Sequence, residues 1–222
     1  MSNDQRLVLR TYARAAGTAH DTLTALDQIS GDGDFGDNLR EGLDLVASAL
    51  DTRPAEPPFA VAAEVFLDEV GGTSGPLLGL LFQEIARALA AHDDDHEAWR
   101  AGVREGLAAI QRVGEAEPGD RTMVDALAPA RDALDAGADL RDVALAALNG
   151  ARVTASLRAR RGRASYVGRR ALGSPDPGAM GVALLFWSLA RARDRSPVEL
   201  GELLTSANPS ERESGGDSPV PD

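Results

Sequence analysis

The chain contains no cysteine and no lysine, and aromatic residues fill only 4% of its 222 positions. Without cysteine there is no disulfide framework, no zinc–thiolate centre and no thiol nucleophile. Without lysine, all 23 basic residues are arginine, which excludes a Walker A phosphate loop and lysine Schiff-base chemistry, since both need the lysine amino group. Scarce aromatics leave Leu, Ala and Val to build the core, a palette that suits closely packed helices better than sheets. Excess positive charge is missing too. A formal net charge of −12 opposes binding to nucleic acid, whose phosphates require a basic surface. No apolar run of about 18 residues is free of charge, and the N-terminal MSNDQRLVLR lacks the apolar segment of a signal peptide, so a soluble cytoplasmic protein with no membrane partner is expected.

What is present is 43% hydrophobic content, enough for the core of one domain. Apolar residues recur at helical spacing over about 4–27 (Leu7, Leu9, Tyr12, Leu23) and 39–50 (Leu39, Leu43, Val46, Leu50). The pattern returns at about 59–70, 75–92, 95–113, 122–136, 139–159 and 178–193. Eight helices with mostly short joints predict an all-α helical bundle over residues 1–205. One joint is long: RRGRASYVGRRALGSPDPG (160–178) carries five arginines and little apolar periodicity, and long loops in compact domains are often functional. The polar, Pro/Gly/Ser-rich residues 206–222 are expected to be a disordered tail.

The stretch SGDGDFGDNLRE (30–41) interrupts this pattern with acid and glycine. Asp27, Asp32 and Asp34 can offer oxygen ligands to a hard divalent cation, and magnesium takes a few carboxylates and completes its shell with water and substrate phosphates. A helix starting near Asp37 turns its free amides toward the same place. An EF-hand fails, because Asp37 stands where the loop needs glycine and Leu43 where it needs a bidentate Glu. By spacing alone the stretch fits either a metal site or a polar cap.

Three further segments have similar character. GGTSGPLLG (71–79) exposes backbone amides and the Thr73 and Ser74 hydroxyls at a helix start. GEAEPGDRTMVDAL (114–127) sets Asp120 and Thr122 at another, with Met123 suited to packing on a flat ligand face. GRASYVGRRALGSPDPGAMG (162–181) supplies Arg163, suited to bidentate phosphate contacts, and a DPG turn that opens the last helix. Each alone reads as an ordinary helix joint; convergence of all four at one end would make an anion pocket without a P-loop.

With these segments in this order, the chain resembles the nucleotide-binding L subunit of dihydroxyacetone kinase, the DhaL or DAK-L family. LDQISGDGDFGDNL is similar to the family's LDxxIGDGDHGxN, GGTSGPL to GGASGPL, and GDRTMVDAL to GDKTMLDAL. ARRGRASYVGRRALGSPDPGA is similar to ARKGRASYLGxRxxGxxDPGA, and the likeness runs over about residues 5–205.

The resemblance implies an eight-helix antiparallel barrel that binds ADP or ATP through two magnesium ions at its loop end. Its metal ligands fall on Asp27, Asp32 and Asp34. Its nucleotide contacts fall on Phe35, Gly36, Asp37 and Asn38, on Thr73 and Ser74, on Gly114, Thr122 and Met123, on Arg163, and on Asp176, Pro177 and Gly178. It implies a kinase component that works with a separate K subunit (DhaK-like) holding dihydroxyacetone or a related keto-sugar, and in one branch with a phosphotransferase protein (DhaM-like). Other members act with a protein-held fatty-acyl substrate, and a nucleotide-bound regulatory module is a further alternative. Phe35 stands where the family has histidine, and Asp37 adds negative charge beside it, so these two positions are expected to alter nucleotide contacts. Arg121 and Arg161 replace lysines. His20, His92 and His96 lie outside all four motifs and receive no catalytic role; His92 and His96 flank DDD in what reads as a solvated joint.

Overall fold

The computed structural model describes residues 2–193 and 199–205, so the expected tail at 206–222 lies outside the described residues. The eight predicted helices are all present: α1 (Ser2–Ser30), α2 (Phe35–Thr52), α3 (Pro58–Asp68), α4 (Ser74–Ala91), α5 (Asp95–Gly114), α6 (Val124–Asp135) and α7 (Leu140–Val153) come first. The long joint then contains a four-residue helix, α8 (Ala164–Val167), flanked by 3-10 turns at Thr154–Ser156 and Gly168–Ala171. The last long helix is α9 (Pro177–Ala192), and a short α10 (Leu200–Thr205) follows. No strand occurs among the described residues, and none of their helices is long and apolar enough to cross a membrane.

Local chemistry accounts for the helix ends. The side chains of Asp94, Asp139 and Asp176 each accept the amide three residues on, which caps α5, α7 and α9. Pro58 and Pro177 open α3 and α9, where a missing N–H and a fixed φ cost nothing. The predicted helix at 139–159 stops six residues early, at Val153. Thr154 turns its hydroxyl back to the Ala151 carbonyl and receives the amide of Asp176 at 2.7 Å, which pulls the chain out of α7 toward the start of α9.

Each long helix packs on its neighbour in sequence, and α9 packs on both α7 and α1, so the eight close into a ring. Joints of a few residues between packed neighbours force an up-and-down arrangement. Helix α9 is buried from Pro177 to Ala190 because it touches α1, α6 and α7 at once. The Tyr12 hydroxyl donates to the Gly181 carbonyl at 2.8 Å and so ties α1 to α9 where the ring closes. On the opposite side Phe59, Phe66, Phe82 and Trp99 meet edge to face, with centroids 5.1–6.0 Å apart, an arrangement that matches positive ring edges to negative faces.

Glycines allow the closest helix approach. A Cβ on Gly102 of α5 would lie 2.7 Å from the Ile85 Cα of α4. Gly102→Ala is therefore expected to separate this pair and lower stability by about 1–3 kcal/mol. Gly17 has nothing within 4 Å of its Cβ position, so Gly17→Ala in exposed helix should raise stability by about 0.5–1 kcal/mol. Urea denaturation midpoints of the two variants should move in opposite directions.

Candidate functional site

An up-and-down ring returns every second joint to the same end. The joints α1–α2 (31–34), α3–α4 (69–73), α5–α6 (115–123) and α7–α9 (154–176) are the four that carry the polar motifs. They meet around one cavity, lined from all four, of about 150 Å³. At the space a water needs, that is room for roughly ten water-sized groups, enough for a chain of phosphates.

The first joint is shaped by Asp27, whose buried Oδ2 accepts the amides of Gly33 and Phe35 at 3.1 Å each. Its other oxygen occupies the place where a Cβ on Gly31 would sit, so a side chain at 31 would collide with the carboxylate. Asp34 makes no side-chain cap and is exposed, while its carbonyl accepts the Asn38 amide at 2.9 Å. Asp32 forms an ion pair with Arg163 from the α7–α9 joint. The Phe35 ring lies against α9, where a Cβ on Gly181 would stand 2.8 Å from its Cζ, and it gives the cavity an apolar wall.

Gly72 takes φ +72 in the second joint, and its Cβ position is 3.2 Å from Asn38 Nδ2 and 3.5 Å from Arg163 Nη2. Asn38 and Arg163 thus bracket the turn that leads into Thr73 and Ser74, both at the cavity. Asp125, in the first turn of α6, shapes the third joint as Asp27 does the first. It accepts the Gly119 amide at 2.5 Å and the Thr122 amide at 2.8 Å. Thr122 and Met123 then face the cavity with Gly114 at the end of α5. From the fourth joint come Arg163, Arg161 and the Asp176, Pro177, Gly178 turn. Burial pushes the Asp176 carboxyl up to about 6, opposed by the Ala179 amide and by Arg121 and reinforced by Asp125 and Asp27.

Fourteen of the sixteen residues singled out from sequence line this cavity; Gly36 and Asp37 do not. Gly36 is pressed against α1, with its Cβ position 2.8 Å from the His20 carbonyl oxygen. Asp37 pairs with His20 Nε2 and Arg40 Nη2, each at 2.9 Å, so its negative charge is balanced outside the cavity. Asp37 and then Asp21 hold the His20 imidazole above its ordinary pKa. Nor are Asp27, Asp32 and Asp34 gathered into a ready cage: among the described residues no three His, Asp or Glu side chains form one. Loop amides occupy Asp27, and Arg163 occupies Asp32. The oxygen donors still suit magnesium, which uses one or two carboxylates with water and phosphate oxygens rather than an all-protein cage. Sequence reading missed Asp125 as the organiser of its loop, and Arg121 and Ser30 as members of the cavity wall.

The folded pKa of Asp176, about 6, exceeds its ordinary 3.8. Its protonated form therefore stabilises the fold below about 3.8, and that contribution is lost as pH rises through about 6. Asp176→Asn keeps an acceptor for the Ala179 amide without the charge. Urea denaturation should find the variant more stable than wild type at pH 7 by about 1–3 kcal/mol, with the gap closing near pH 4.

Comparison with known proteins agrees with this geometry. The family model described as DAK2 domain matches residues 29–191. The ADP-binding subunit DhaL of a PEP-dependent dihydroxyacetone kinase from Listeria innocua is 38% identical over 170 residues, 75% of this chain and 84% of that protein. L-erythrulose 1-kinase of Mycolicibacterium smegmatis is 35% identical over 194 residues, 82% of this chain but 34% of that protein. The chain thus spans about a third of the larger kinases it matches. The crystal structure of the C. freundii dihydroxyacetone kinase with AMP-PNP and Mg2+ superposes with a TM-score of 0.65 at 30% identity, covering 86% of this chain and 33% of that one. A family match across most of the helical ring, including all four cavity joints, makes this chain a member of the DAK2 domain family.

Proposed function

We propose that the chain is the magnesium–nucleotide component of a two-component cytoplasmic kinase. It presents ADP or ATP to a phosphoryl-transfer step on dihydroxyacetone or a related short keto-sugar held by a separate, DhaK-like subunit. The observation that carries this reading is the convergence of carboxylates, hydroxyl-bearing helix starts and arginines from the four joints on one cavity. Phosphoryl transfer asks a protein mainly to position phosphates and offset their charge, and these groups do both.

In this reading Asp27, Asp32 and Asp34 hold two magnesium ions. Bound there, the metal would supply positive charge to offset that of the phosphates. The remaining work belongs to the chain. Thr73, Ser74 and Thr122 offer hydroxyls to phosphate, Met123 and Phe35 supply apolar faces, and Asn38, Gly114 and the Asp176–Gly178 turn complete the wall. Arg163 exchanges Asp32 for phosphate, which frees the carboxylate for metal as the cation finds a stronger partner. The phosphoryl donor is either exchanging ATP or a DhaM-like phosphotransferase protein that recharges bound ADP.

The purified chain alone should be nearly inactive and should gain activity when a K subunit, dihydroxyacetone and a phosphoryl donor are added. Asp32→Ala should lower that reconstituted activity at least 100-fold. Full activity in this variant, measured as product formed per minute, contradicts the metal assignment.

A further inference from the structure

Arg121 is wholly buried beside the cavity, the largest fully buried side chain among the described residues. Its backbone adopts φ 63, a left-handed conformation that non-glycine residues take up mainly where surrounding structure imposes it. From there Nη2 donates to the carbonyls of Ala171 and Ser174, both at 2.9 Å and both about fifty residues away in sequence. Nε and Nη1 are buried with no hydrogen-bond partner. A guanidinium cannot shed its charge to relieve this, and buried donors in folded proteins nearly always have acceptors.

The carbonyls that Arg121 holds belong to a strap, residues 157–176, that crosses the cavity end between α7 and α9. The strap leaves past Asp120, whose carbonyl accepts the Arg160 amide at 3.1 Å, and returns where the Gly173 amide bonds the Ala155 carbonyl at 2.8 Å. Between these points it carries α8, the Arg163 that pairs with Asp32, and Tyr166, which is 91% exposed. Arg121 is therefore the side-chain link from the α5–α6 joint to the returning limb of the strap. Arg121 is itself one of the residues that line the cavity.

We propose that Arg121 is a positioning residue that couples anion binding in the cavity to docking of the strap. One nitrogen grips the Ala171 and Ser174 carbonyls, and the two free donors accept completion by anionic oxygens, reached directly or through an ordered water. A bound anion then fixes the guanidinium, and the fixed guanidinium holds the strap and the turn into α9. Asp176, the acidic neighbour of Arg121, keeps the cation in place when the cavity holds no anion. The inference rests on the reading of the cavity as a phosphate-binding site.

The strap offers trypsin Arg158, Arg160, Arg161, Arg163, Arg169 and Arg170, so its docking is measurable by timed digestion with cleavage sites read by mass spectrometry. In the wild-type chain, Mg–ADP should slow cleavage in the strap at least tenfold. In Arg121→Met that protection should fall below twofold, and Arg121→Lys, which restores a cation, should recover at least half of it. A merely structural arginine would speed cleavage equally with and without nucleotide and leave the ratio unchanged. Should Arg121→Met fail to fold by circular dichroism, Arg121→Gln, neutral and polar, carries the same prediction. Wild-type-like protection in the neutral variant overturns the inference, as does a wild-type chain that retains ADP in equilibrium dialysis without strap protection. A wild-type chain that retains no ADP overturns the nucleotide reading itself and this inference with it.

Discussion

Buried carboxylates that accept loop amides are the interaction on which the rest of the cavity depends. Asp27 and Asp125 each take two backbone N–H groups from a joint that would otherwise be irregular chain. Asp176 takes one, and its own amide is anchored by Thr154. Each carboxylate satisfies donors that a buried turn would leave unpaired. The loops are thus shaped by the chain's own side chains, which is the condition for electrostatic preorganisation.

The helical ring makes this arrangement useful. A single polar joint between two helices is a cap, as the joint 92–94 shows by capping α5 through Asp94 and doing nothing more evident. Four such joints acquire a common purpose only because alternate connections of an up-and-down ring come to one end. The Tyr12–Gly181 bond and the packing of Phe35 on Gly181 secure α9 against α1 and α2. They bring the α7–α9 joint across from the first joint, where Arg163 reaches Asp32.

Sequence periodicity was sufficient for the eight long helices because each has an apolar stripe and a capping or breaking residue at its ends. It misjudged the end of α7, where Thr154 leaves the helix to bond Asp176, a long-range contact with no local signature. The four-residue α8 was likewise invisible, being too short for a period to register. In the site, motif order picked out the four joints that line the cavity, yet it treated Phe35, Gly36, Asp37 and Asn38 as one contact surface. Residues at the start of a helix point around its circumference, so Phe35 and Asn38 reach the cavity while Gly36 and Asp37 turn toward His20. Asp125 and Arg121 were passed over because each acts on backbone, and backbone partners leave no trace in composition.

Asp27 is bonded by loop amides and Asp32 is paired with Arg163, and in the proposed reading a magnesium-bound phosphate group would offer Asp32 and Arg163 stronger partners. Nucleotide and metal should therefore bind as a unit. Calorimetric titration of ADP into the purified chain, with magnesium and then with excess chelator, tests this most directly. One ADP per chain, bound at least tenfold more tightly with magnesium, is the predicted result; no binding in magnesium, or an affinity indifferent to chelation, would contradict the account.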